Sequence, residues 1–328
     1  MAEQGRQAGH VRRILVTGAS GFVGRALVAA LEASGQRVTA PAHSPKTAEQ
    51  PSADVQAEVG WAEHLSGQDT VIHLAAFNPA RWQPATEGRH DAITRDGAIR
   101  IARIAAAAGV GHFVFVSSAR VYGLPRPGQT AFSETDAPNP SDPYGRAKAE
   151  AEAGIARALA GSAMRLTILR PPVIHARDHG GSVGLIARMS RLGLPLPLTR
   201  AASAAPKSVL GLPGLVVGLE RIAASRSGFE GTFNIADPEP VSFGDIARLV
   251  ARANDRSGPH FMPEALARIA LRVLISREAV AHLEAPIVLE TSRISAQAGW
   301  PPLPATSDAL GRSFAPATSR ISRASGTD

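Results

Sequence analysis

The sequence contains no cysteine, which removes disulfides, thiolate metal sites and cysteine nucleophiles and leaves the compartment open. Aromatic residues are scarce, at 5%, and no dense basic run is interleaved with them, so nucleic acid is not an expected partner. Nowhere does the chain approach the roughly 18 consecutive apolar residues that span a bilayer. The opening stretch, Met1 to His10, is polar and lacks the apolar block of a signal peptide. A cytoplasmic protein with no membrane partner is the expectation. The ten histidines show no ligand-type spacing, which argues against a metal hydrolase and for no metal at all.

The 328 residues are 44% hydrophobic, enough to bury a large core and to build one α/β domain with a smaller companion. The formal charge of +7 rests mainly on dispersed arginines. It reads as a solvated surface, or as a field that draws in a phosphorylated substrate.

Short β-rich runs alternate with Ala-rich segments from Val11 onward. Arg13 to Thr17 reads as a strand, Gly24 to Ser34 as a helix stopped by Gly35, and Arg37 to Ala40 as a second strand. A weaker strand is expected near Val55 to Val59, and buried strands at Thr70 to Ala76, His112 to Ser118 and Arg165 to Arg170. Helices fall at Ala98 to Ala108, from Asp142-Pro143 to about Ala160, at Leu215 to Ala224 and at Ser242 to Ala253. Gly231 to Ile235 is strand-like between the last two. Strands separated by helices force right-handed crossovers and a doubly wound parallel sheet.

The chemistry concentrates in a few short segments. Thr17-Gly18-Ala19-Ser20-Gly21-Phe22-Val23-Gly24 lies between the first strand and the first helix. Gly18 allows the tight turn, Gly21 lets a pyrophosphate reach the backbone, and Gly24 lets helix pack on strand, while the helix N-terminus favours phosphate. Tyr144 and Lys148 are spaced to lie one helical turn apart on one face. There a cationic lysine would lower the phenol pKa and let Tyr144 exchange a proton with a substrate oxygen. Ser117-Ser118-Ala119-Arg120-Val121-Tyr122-Gly123 follows a buried strand, and His73-Leu74-Ala75-Ala76 ends another. His73 itself reads as a packed strand histidine rather than a catalyst.

These segments, in this order, resemble the extended short-chain dehydrogenase/reductase family, also called the NAD-dependent epimerase/dehydratase family. The Gly-x-x-Gly-x-x-Gly spacing, the Tyr-x-x-x-Lys pair and the Ser-Ser-x-x-Val-Tyr-Gly run carry the resemblance. Leu169 to Ile174, Gly193 to Leu198, Thr232 to Asp237 and Ala298 to Pro302 extend it toward nucleotide-sugar 4-epimerases and 4-ketoreductases.

The resemblance implies a Rossmann domain over 11–175, completed by 205–237, with 176–204 and 238–316 capping the substrate and 317–328 a disordered tail. It implies Ser118, Tyr144 and Lys148 as the catalytic set. For the cofactor it implies Gly18, Ser20, Gly21, Phe22, Val23, Gly24, Leu74, Ala75, Ala76, Pro171 and Val173, together with Tyr144 and Lys148. Glu58-Val59 resembles the acid-apolar pair that meets adenine. The cofactor is NAD or NADP. Because the segment after the second strand, Ala40 to Lys46, has no carboxylate, His43 tips the expectation toward a 2′-phosphate and NADP. The expected substrate is a nucleotide sugar, and a homodimer is compatible.

Some positions depart from the family pattern: Ile174-His175-Ala176-Arg177-Asp178 replaces the usual Val-Tyr-Gly segment, Ser182 and Thr94 stand where asparagines are usual, and Lys207 to Leu212 lacks its tyrosine. Epimerase, reductase of another carbonyl substrate and a non-catalytic cofactor-binding sensor or scaffold all remain open on the sequence.

Overall fold

The computed structural model describes residues 11–43, 53–77, 87–176, 181–297 and 299–314. The opening decapeptide, Ser44-Pro45-Lys46, Arg177-Asp178, Ala298 and the expected tail at 317–328 lie outside the described residues.

β1 (Arg13–Thr17) is buried beyond its first residue and turns at once into α1 (Phe22–Ala33). Gly35, with φ at +79°, ends that helix in the left-handed region where a side chain is resisted. β2 (Arg37–Thr39), α2 (Trp61–Leu65) and β3 (Thr70–His73) follow. α3 (Glu87–Arg89) runs through a π-helical stretch, His90–Asp96, into α4 (Gly97–Ala107). β4 (His112–Val116), a 3-10 turn over Ala119–Tyr122, α5 (Pro143–Ala158) and β5 (Arg165–Arg170) come next.

The second half contributes β6 (Val173–His175), α6 (Gly181–Leu192), α7 (Arg200–Ala204), β7 (Val209–Gly211), α8 (Leu212–Ala224) and β8 (Gly231–Asn234). It closes with α9 (Phe243–Arg252), α10 (Glu264–Leu274), α11 (Arg277–Glu284), α12 (Ser292–Ser295) and α13 (Thr306–Phe314).

Six strands form one parallel sheet in the order β2-β1-β3-β4-β5-β8, the doubly wound arrangement expected from the alternation of strands and helices. From β1 the chain winds one way to β2 and the other way from β3 onward, so the switch point lies at the carboxyl ends of β1 and β3. α1 and α8 bury Leu27, Leu31, Leu219 and Ile222 against one face. α4 and α5 bury Ile101, Ala105, Ala151 and Ile155 against the other. A separate core of Val183, Ile186, Leu196, Phe243 and Ile246 lies under α6 and α9, beside the two-stranded β6-β7 sheet.

The weak strand expected at Val55 to Val59 does not form. The Asp54 carboxylate accepts from the Gln56 amide at 2.9 Å and the Asp54 carbonyl from the Ala57 amide at 2.9 Å, an aspartate-led turn that takes the backbone out of strand pairing. His112 to Ser118 also stops short, because β4 ends at Val116 and Ser118 caps the 3-10 turn.

Two buried polar knots hold the sheet to its surroundings. Arg170 on β5 pairs with Glu152 on α5 at 2.6 Å and donates to the Tyr122 hydroxyl at 3.0 Å, while Tyr122 donates to Asn234 on β8 at 2.7 Å. His175 on β6 lies 2.9 Å from Ser313 and 3.1 Å from Asp237, closing α13 onto the small sheet.

Candidate active site

Gly18 ends β1 with φ at +68°, and a Cβ built there would stand 2.7 Å from the Ala75 amide nitrogen. Only glycine lets the ends of β1 and β3 approach this closely. At Gly24 a Cβ would come within 2.2 Å of the Gly18 carbonyl oxygen, so this position serves helix-on-strand packing. The Gly21 amide donates to the Gly18 carbonyl at 3.0 Å and tightens the turn. α1 then begins with no side-chain cap and no acid in its first turn. Its partly positive end and first amides are thus left to an anion.

This turn floors a cavity of about 330 Å³ whose wall includes Thr17, Gly18, Ser20, Gly21, His43, Leu74, Ala75 and Ala76. Size, glycine cradle and uncapped helix end all suit a dinucleotide with its pyrophosphate on α1. Phe22 and Val23 open α1 directly after Gly21 and are not on the wall, Val23 packing against the core beneath.

Glu58 and Val59 are not on the wall. Glu58 pairs with Arg103 at 2.7 Å and Val59 is 89% exposed, because the aspartate-led turn carries both outward. Asp54 and Val55 line the cavity instead, an acid-apolar pair that the sequence reading passed over. Asp54 also supplies the carboxylate missing from Ala40 to Lys46: its Oδ2 is 3.5 Å from His43 Nδ1. Pro171 and Val173 do not line the wall either. Pro171 accepts from the Ala119 amide at 2.8 Å, and Val173 packs toward the second-half core.

Tyr144, Lys148 and Ser118 are not on the wall of this cavity; they sit where the first turns of α5 meet the end of β4 and the turn after it. Asp142 caps α5 through the Gly145 amide at 2.9 Å, with Pro143 opening the helix. A Cβ on Gly145 would sit 2.5 Å from the Arg120 carbonyl oxygen, so the first turn of α5 rests on the turn that follows Ser118. The Ser118 hydroxyl oxygen accepts from the Arg120 amide at 3.2 Å. Lys148 is almost fully buried and donates to the Val116 carbonyl at 2.7 Å. The π-helical stretch bridges cavity and tyrosine: Arg89 and Ile93 line the wall, while the His90 ring meets the Tyr144 ring edge-on at 6.1 Å.

The expected lowering of the phenol pKa by Lys148 is not what this arrangement produces. Burial pushes Tyr144 up to about 12, and the nearby Arg120 charge recovers only part of that. Lys148 is turned to the strand carbonyl, 6.0 Å from the tyrosine ring centroid. Burial brings the lysine itself down to about 7, against the charge of Glu152.

Arg120 and Asp142 were missed as site residues, although both lay inside motifs already marked. Arg120 pairs with Asp142 at 2.8 Å and stands 5.3 Å from the Tyr144 ring centroid. His73 is buried against Phe113 and Phe115, 3.0 Å from the Thr17 hydroxyl, and held neutral with its pKa near 3, first by burial and then by Lys148.

Residues 14–192, the stretch holding the glycine turn, Ser118, Tyr144 and Lys148, match the family model described as the NAD dependent epimerase/dehydratase family. The chain belongs to this family. It is therefore an NAD-dependent enzyme of the epimerase/dehydratase type. A UDP-glucose 4-epimerase of Vibrio cholerae is 25% identical over 75% of this chain and 76% of its own. A 3-diazoavenalumate denitrifying reductase of Streptomyces is 30% identical over 92% of this chain and 99% of its own. The solved UDP-glucuronic acid 4-epimerase of Bacillus cereus, in complex with NAD, superposes with a TM-score of 0.74 at 19% identity, covering 92% of this chain and 97% of that one. At that identity the superposition speaks for the fold. Among the described residues no helix is long and apolar enough to cross a membrane.

Proposed function

We propose that this family member moves a hydride at a hydroxyl-bearing or ketone carbon of a nucleotide sugar, with Tyr144 as acid and base. The observation that carries the reading is the glycine-floored cavity at the sheet's switch point, with the Tyr144 ring joined to its wall through the π-helical stretch at His90. The nicotinamide cofactor supplies the hydride acceptor and donor when bound. Gly18, Ser20, Gly21 and the amides that open α1 hold its phosphates.

Tyr144 is protonated at neutral pH with its pKa near 12, the form that hands a proton to a reduced ketone oxygen. The reverse step, taking a proton from a hydroxyl, requires the Lys148 charge to be brought closer to the phenol. Ser118 accepts from the Arg120 amide and keeps its single hydroxyl proton to donate to the reacting oxygen. Segments 176–204 and 238–316 form the substrate side in this reading, and helices α6, α7 and α9 to α13 come from them.

For the cofactor we now favour NAD. The His43 to Asp54 approach of 3.5 Å sets a carboxylate against the base expected to meet a 2′-phosphate. A second reading, reduction of a carbonyl or related group on a non-sugar substrate, is favoured by the full-length similarity to the Streptomyces reductase. Mass spectrometry of retained cofactor, followed by assay against UDP-sugars, tests both. Epimerisation of a UDP-sugar without added cofactor supports the first. Net consumption of reduced cofactor with no UDP-sugar turned over rejects it.

A further inference from the structure

α10 carries more apolar surface than its seat on the protein requires. Ala267 and Leu271 are buried at 0% and 5% exposure, yet Leu266, Ile269, Val273 and Leu274 remain 56%, 59%, 80% and 43% exposed. At about 100° per residue, the apolar arc from Ile269 round to Leu271 spans roughly 200°, about twice the stripe with which a surface helix faces its core. Half of that arc looks outward.

The patch continues onto α6. Leu185 and Leu192 are 38% and 52% exposed, and an apolar cleft lined by Leu185, Met189, Leu271 and Leu274 joins the two helices. An exposed apolar surface of this continuity marks an interaction face.

Charge decides what it meets. α6 bears Arg188 and Arg191 with no acid, and α10 bears Arg268 and Arg272 with Glu264 alone. Glu264 is taken up by Arg268 at 2.8 Å, whereas Arg188, Arg191 and Arg272 make no ion pair among the described residues. Arg277, exposed at the start of α11, adds a further cation beside Glu278. A second copy docked about a two-fold axis would bring this arginine-rich face against itself, a like-charge arrangement that opposes pairing. An anionic lipid surface offers both complements: phosphates for the guanidinium groups and an acyl boundary for the aliphatic stripe.

We propose that the face built by α6 and α10 docks peripherally on an anionic phospholipid surface. The docking uses neither the cofactor cavity nor Tyr144, so it stands or falls separately from the catalytic reading.

The test is sedimentation of the full chain with phosphatidylcholine vesicles and with vesicles of phosphatidylcholine mixed with phosphatidylglycerol, at low and high salt. The expected result is binding to the mixed vesicles that weakens in high salt and is far weaker on neutral ones. Ile269→Gln with Val273→Gln should reduce that binding by about tenfold or more, with Tm and cofactor binding unchanged. Arg188→Gln with Arg272→Gln should remove the preference for anionic lipid. No binding to the mixed vesicles, or equal binding to both kinds, overturns the proposal. So does a dimer in solution that the Ile269/Val273 variant abolishes, because the face would then belong to a second copy.

Discussion

Lys148 Nζ donates to the Val116 carbonyl at 2.7 Å and stands 6.0 Å from the centroid of the Tyr144 ring. The lysine is thus anchored to the strand that presents Ser118, and its charge is weakened by burial and sustained by Glu152 one turn further along α5. Ground-state geometry makes Tyr144 an acid first.

Glu152→Gln removes the charge that holds up the Lys148 pKa, so the lysine should titrate below about 7. The same change leaves Arg170 without its buried partner, a loss on the order of 3–5 kcal/mol. Denaturant unfolding measures the stability, and the pH–rate profile measures the lysine. A folded variant with an unmoved profile would show that Glu152 does not act on Lys148.

Gly24→Ala and Gly21→Val should separate packing from phosphate binding. The Cβ at Gly24 would lie 2.2 Å from a carbonyl oxygen, so that variant should lose Tm even without ligand. At Gly21 the nearest atom is at 3.1 Å, and Gly21→Val should keep much of its Tm yet lose the thermal shift given by the cofactor. Equal stabilisation of Gly21→Val and wild type by NAD would place the phosphates elsewhere.

Asp54→Asn should free His43 and move the ratio of the two dissociation constants toward NADP by about tenfold, the scale of one charge-assisted hydrogen bond. Calorimetry with NAD and NADP on both proteins reads the ratio. No movement would detach the His43 to Asp54 pair from cofactor choice.

Acid should destabilise the fold before the carboxylates protonate. His73 and His112 are held near 3 by burial, against 6.5 in an exposed histidine. Between those values the unfolded chain binds the protons that the folded one excludes. Stability therefore falls as pH drops from about 6.5 toward 3, by an amount on the order of a few kcal/mol. A His112→Gln variant, still able to meet Thr167, should flatten that slope. An unchanged slope would assign the acid sensitivity to other groups.

The doubly wound sheet and the glycine turn were legible because their determinants are local: a buried strand, a turn and a helix in one continuous run. Groups that meet across distance were not. Asp54 reaches the cavity by a turn that looks like a weak strand, and its meeting with His43 spans residues that carry no pattern. Arg120 and Asp142 are far apart in sequence and pair only because α5 rests on the 3-10 turn. The apolar stripe of α10 is visible as letters, but its meaning depends on knowing which half of the helix the protein covers.

The most direct measurement of the catalytic claim is the comparison of Tyr144→Phe with wild type in single-turnover hydride transfer and in cofactor binding. The phenol oxygen is removed while the ring contacts to His90 and Arg120 are kept. The account predicts a loss of turnover on the order of 10² to 10⁴ with an unchanged cofactor dissociation constant. Turnover equal to wild type would contradict it.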